Sequence, residues 1–133
     1  MNAGITDQLR IVGEDVWLTV PPFSEFLRTV RLVAADAASR AGLDYEEIDD
    51  VRIAVSELCS VVSLDQDATI TLSFAVAPGV LEVSGVSATG TATVAANELS
   101  QAIIAAVVDE HTLGTDAGHT RFHVTKRARR TGS

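Results

Sequence analysis

A chain of 133 residues is long enough to bury one substantial core. No apolar run approaches the roughly 20 residues that cross a bilayer, Met1 to Arg10 contains no secretory apolar region, and the single cysteine, Cys59, excludes an internal disulfide. A formal net charge of −8 argues against non-specific nucleic-acid binding, so a cytoplasmic protein that engages neither membrane nor nucleic acid is expected.

Hydrophobic residues make up 47% of the chain and aromatics 5%, so the core must be built from Val, Leu, Ile and Ala. Residues 1–13 lack periodicity and are expected to be a flexible N-terminal segment; residues 14–126 read as the domain, and residues 127–133 as a basic tail. Glu14 to Val20 alternates Val16, Leu18 and Val20 with Asp15, Trp17 and Thr19, as a strand does. Trp17 falls on the second face, as an exposed contact residue or as a core or semi-buried one, and the latter is the expectation. Pro21-Pro22 ends the strand. A helix is predicted from about Phe23 to Ala41, with Ser24 as N-cap and with Phe23, Leu27, Val30, Ala34 and Ala38 at helical spacing. Gly42 supplies its stop.

Asp44 and Glu47 form a capping-box pattern that opens a second helix. Ile48, Val51, Val55, Leu58 and Val62 make its apolar stripe, widened by Ala54 and Val61, with an end near Leu64-Asp65. Ile70, Leu72, Phe74 and Val76 alternate with polar and small residues, Pro78-Gly79 turns, and Val80 to Val86 returns as the second arm of a hairpin. A polar loop spans Ser87 to Thr93. A third helix follows from about Asn97 to Val108, with Leu99, Ile103, Ala106 and Val107 on its expected buried face. His119 to Thr125 is the last strand, with a short extra strand near His111 to Leu113. This order predicts an α+β two-layer sandwich, with helices on one face of a mixed, mainly antiparallel sheet.

Glu57 is the chain's most informative residue. It stands on the second helix among apolar neighbours, where a bare charge is costly. It must therefore be paired, by an arginine such as Arg52 or by backbone donors, be solvated at one end, or be functional. Cys59 reads as a small buried hydrophobe. His111, His119 and His123 lack the companions of a metal site, and no Walker loop, Cys-x-x-Cys pair or nucleophile elbow occurs.

The element order, from about Asp15 to Lys126, resembles the GHKL (Bergerat) ATPase fold in the small form used by bacterial anti-sigma factors of the serine-kinase type. The best local match is Asp49-Asp50-Val51-Arg52-Ile53-Ala54-Val55-Ser56-Glu57-Leu58-Cys59-Ser60. The resemblance implies that Glu57 matches the family's catalytic base. It also places Val61 at the family's magnesium-holding Asn, and a valine has no oxygen for a hard cation. In Val83-Ser84-Gly85-Val86-Ser87-Ala88-Thr89, Gly85 falls where the family has an adenine-binding Asp, and Ser87 and Thr89 where it has glycines. The entry to the last helix, Glu98-Leu99-Ser100-Gln101, lacks the family's lid glycine. Phe26-Leu27-Arg28 resembles the partner-contacting segment, with Arg28 on the contacting Arg and Arg31 one turn later.

The resemblance therefore implies an anti-sigma-factor-like regulator with little or no kinase activity and no confident cofactor. Its expected partners are a sigma factor, a STAS-type anti-anti-sigma protein, or both, and a homodimer is expected. The competing expectation is an active serine-protein kinase using ATP and magnesium, with Glu57 as base.

Overall fold

Five strands and three α-helices are present in the computed structural model, which describes residues 14–21, 24–62, 69–87, 98–116 and 118–129. The strands are β1 (Glu14–Val20), β2 (Ile70–Ala77), β3 (Val80–Ser87), β4 (Glu110–Asp116) and β5 (His119–Arg127). They join in the order β1-β2-β3-β5-β4, with every pair antiparallel. The expected mixed sheet is thus wholly antiparallel among the described residues. The helices are α1 (Leu27–Arg40), α2 (Tyr45–Val62) and α3 (Glu98–Val107). They cover one face of the sheet and give a two-layer α+β sandwich.

The period-2 alternation decides which side of each strand is buried. Ile70, Leu72, Phe74 and Val76 of β2 meet Leu81 and Val83 of β3 and Phe122 and Val124 of β5 in one core. From above, α1 contributes Val30, Ala34, Ala37 and Ala38, and α2 contributes Val51, Val55, Leu58, Cys59 and Val62. The alanines of α1 let two helix backbones and the sheet approach closely without large aromatic filler. At about 25 cal/mol per Å² of apolar surface removed from water, this core is the main stabilising contribution.

Several local expectations shift. A 3-10 turn, Ser24–Phe26, precedes α1, and the N-cap position falls on Phe26, which makes no side-chain cap bond. Phe23 and Leu64-Asp65 lie outside the described residues. The short extra strand is a full hairpin arm, β4, paired along β5 from Glu110 to Asp116. Helix α3 buries Ser100 and Ile104, whereas Leu99 is 68% exposed. Its sequence is apolar on several sides, so the face is chosen by a polar contact described below. Trp17 is 66% exposed, because the sheet face opposite the helices has no covering layer among the described residues.

The turn between α1 and α2 forms as its residues predict. Gly42 adopts φ +89°, which a side chain would strain. The Asp44 backbone N–H donates to Glu47 Oε1 at 2.8 Å, and the Glu47 N–H donates to Asp44 Oδ1 at 2.8 Å. Glu47 is only 2% exposed. Its other oxygen accepts the Arg129 backbone N–H at 2.6 Å and lies 3.3 Å from Arg129 Nε. Two neighbouring bonds draw the same region together: the Gly79 N–H donates to the Ala41 carbonyl, and the Ala128 N–H donates to the Gly79 carbonyl, both at 2.8 Å. The helix turn, the β2–β3 turn and the residues after β5 are thereby one hydrogen-bonded unit.

Removing the buried acceptor should strand these donors. Glu47→Ala is expected to cost about 3 kcal/mol, read by chemical denaturation. The Asp44 carboxyl is held below its ordinary value of 3.8, chiefly by the Glu47 N–H and then by Arg129. A lowered folded-state pKa gives stability that is present above the unfolded value and lost as pH falls through the folded one. Wild type should therefore lose more melting temperature than Asp44→Asn below about pH 4.

Candidate functional site

Glu57 lies on α2 toward its C-terminal half and is partly buried. Its partner is not an arginine. Ser100, in the first turn of α3, donates its hydroxyl to Glu57 Oε2 at 2.8 Å. Arg52 instead lies 3.6 Å from Asp49, one turn away on the same helix. The Glu57–Ser100 bond explains the face that α3 presents: burying Ser100 keeps this bond and brings Ile104, one turn on, into the core. Val61, one turn after Glu57, is buried and apolar.

Gly85 sits at the middle of the sheet on β3, in register with Leu72 of β2 and Phe122 of β5. A Cβ built on Gly85 would overlap Phe122 Cε2 and Cζ and stand 3.1 Å from Cδ2. Two residues on, Ser87 is 1% exposed, and its Oγ has no hydrogen-bond partner among the described residues. It faces Thr120, which is also buried. Thr89 lies outside the described residues. The structure thus brings Glu57 against Ser100 of α3, and places Gly85 and Ser87 at the centre and end of β3.

Arg28 is exposed on the first turn of α1. Arg31 is half-buried, and its Nη1 donates to Ser56 Oγ of α2 at 3.1 Å. The two therefore differ: one side chain is presented to solvent and the other helps hold α1 to α2. Among the later basic residues, Lys126 bridges Asp50 Oδ2 at 3.0 Å and the Val107 carbonyl at 2.8 Å. A cation at the last residue of α3 also meets the negative end of its dipole. Arg127 meets Glu110, and Arg129 meets Glu46 as well as Asp44 and Glu47. These cations are satisfied by the chain's own acids.

The opposite sheet face carries a concavity of about 400 Å³, lined by Trp17, Ser73, Ser84, Arg121 and His123 among others. It exists because small Ser73 and Ser84 lie between the larger Trp17 and His123 in one cross-strand row. Ser84 Oγ lies 2.9 Å from His123 Nδ1, and His123 Nε2 lies 3.3 Å from Glu82 Oε1. The trio resembles a nucleophile with its base and orienting acid. However, strands β3 and β5 are paired on both sides, so their amides are committed to the ladder and cannot receive an oxyanion. We read the trio as cross-strand stitching. No group of three or more metal-ligating side chains occurs among the described residues, and no described helix is long and apolar enough to cross a membrane.

Three helices on one face of a five-stranded antiparallel sheet, with an acid on the central helix directed at the third, form the α+β sandwich that the GHKL resemblance implies. The crystal structure of the RsbU and RsbW domains of Rv1364c from Mycobacterium tuberculosis contains this fold, matching at TM-score 0.69 and 22% identity over 88% of this chain and 33% of that one. Part of the chain is homologous to the RsbW serine-protein kinases. Over 64 residues it is 42% identical to serine-protein kinase RsbW of Halalkalibacterium halodurans, covering 46% of this chain and 40% of that protein. Over 47 residues it is 36% identical to serine-protein kinase RsbW of Bacillus cereus, covering 35% and 29%. The matches span less than half the length of these relatives. No family model matches the chain.

Cys59 lies wholly inside the core, and burial pushes its thiol up to about 12. A thiol that stays protonated and enclosed is a poor nucleophile. Native protein should leave Ellman's reagent uncoloured over an hour, and one equivalent should react once denaturant is added.

Proposed function

We propose that this domain is an anti-sigma-factor-like regulator that captures a partner protein, with little or no kinase activity. The observation that carries the reading is the apolar, buried Val61 one turn after Glu57, in a chain homologous to RsbW kinases. In the resembled family this position holds magnesium through a side-chain oxygen. The side chains at the matching positions do not fit a magnesium–purine nucleotide: Val61 has no oxygen, and Gly85 has no carboxylate for the purine. Phosphoryl transfer depends on metal and positioned donors to neutralise the transferred group, so their loss removes the chemistry while leaving the fold.

Capture of a partner needs area and complementarity alone. Arg28, exposed on the first turn of α1, is the contact we assign; Arg31, one turn on, holds α1 to α2 behind it. The partners are a sigma factor, a STAS-type anti-anti-sigma protein, or both. The setting is the cytoplasm and the working form a homodimer. Retention of the Glu57 carboxylate is the one feature that favours the competing reading, an active ATP-dependent serine-protein kinase.

The test is direct binding of the purified chain to sigma factors and STAS-domain proteins of its own host, with a parallel phosphate-transfer assay using magnesium ATP. Submicromolar capture without transfer supports the proposal. Capture of none of them, or transfer of phosphate to a STAS serine, overturns it. Arg28→Glu should weaken capture at least 10-fold, about 1.4 kcal/mol, without lowering the melting temperature. An equal loss of fold would remove the surface role.

A further inference from the structure

Glycine inside a central strand is unusual, because it adds no packing and gives up conformational freedom on folding. Its common excuse, a left-handed backbone, is missing at Gly85: the positive-φ glycines among the described residues are Gly42, Gly79 and Gly118. The reason is steric instead. Gly85 belongs to the helix-facing row Leu72, Gly85, Phe122, Leu113. The Phe122 ring occupies the volume that any side chain at residue 85 would enter. The ring is 2% exposed and part of the central core cluster.

We infer that Phe122 is a built-in plug: its ring fills the space on the helix side of β3 that a ligand-binding side chain at residue 85 would need, and Gly85 exists to admit it. This inference rests on the proposed reading of residue 85 as the degenerate purine position. It goes beyond that reading, because the site is then not an emptied cleft awaiting a carboxylate. It has been converted to core. Restoring an acid at residue 85 alone would drive a charge into a packed aromatic ring, which costs stability and returns no binding.

The inference makes Gly85 and Phe122 a coupled pair, and coupled pairs depart from additivity. Gly85→Ala in the full chain should lower the melting temperature by on the order of 10 °C. In a Phe122→Leu background, where the ring is gone, the same change should cost less than about half as much. Phe122→Leu is used because it keeps an apolar filler, whereas Phe122→Ala risks loss of the fold. Gly85→Ala that is equally costly in both backgrounds, or harmless in wild type, overturns the inference.

A second arm is calorimetric titration of the unaltered chain with magnesium ADP, with no binding expected up to about 1 mM. A dissociation constant below about 100 µM overturns the plug. The two claims fail separately. Absence of sigma-factor and STAS binding ends the proposed function and leaves the plug intact. Nucleotide binding by wild type ends the plug and leaves partner capture to be judged on its own assay.

Discussion

The architecture turns on one buried carboxylate. Glu47 closes the first turn of α2 by a reciprocal bond with Asp44, and its second oxygen receives the backbone of Arg129 after the last strand. A carboxylate that accepts several charge-assisted bonds can sit at 2% exposure without the penalty of a lone charge. Because one carboxylate binds the start of a helix through one oxygen and the end of the sheet through the other, it fixes how α2 lies across β5. Lys126 adds a second tie, from β5 to Asp50 on α2 and to the last carbonyl of α3. The position of Glu57 opposite Ser100, and of Val61 one turn beyond, follows from that placement.

On this frame the side chains around Glu57 and Gly85 are turned to the protein's own packing. The acid on α2 accepts a hydroxyl from α3, so it is satisfied as part of the helix interface. Val61, one turn on, is buried. At the centre of β3, Gly85 leaves room for the Phe122 ring from β5. Under the proposed reading, these positions serve the interior where the resembled family addresses a ligand. Arg28, at the start of α1, is instead exposed to solvent.

Much of this could be read from the residues alone. Alternation in β2 and the Pro78-Gly79 turn point to the hairpin and its inward face, and Gly42 with Asp44 and Glu47 to the break and restart between α1 and α2, because those signals are local. The buried face of α3 differs from the one its spacing predicts. Its sequence is apolar at Leu99, Ile103 and Ile104 alike, and the deciding bond from Ser100 to Glu57 spans 43 positions. For Trp17, alternation fixes only that it opposes Val16; whether a layer covers that side is a tertiary matter, and the expected packing is not found. The partner of Glu57 was sought among nearby arginines and proved to be a distant hydroxyl. The Gly85–Phe122 fit depends on register between strands, which no single segment reports.

Trp17 is the chain's single indole, and it stands on the solvent side of β1 beside the concavity formed by Ser73 and Ser84. Intrinsic fluorescence of this protein therefore monitors the sheet face on which Trp17 is exposed, while the interior, built on aliphatics with Phe74 and Phe122, is optically silent at those wavelengths. Native emission will already be red-shifted and readily quenched by acrylamide. Melting will move it little, whereas anything that settles on that surface will shift it to the blue.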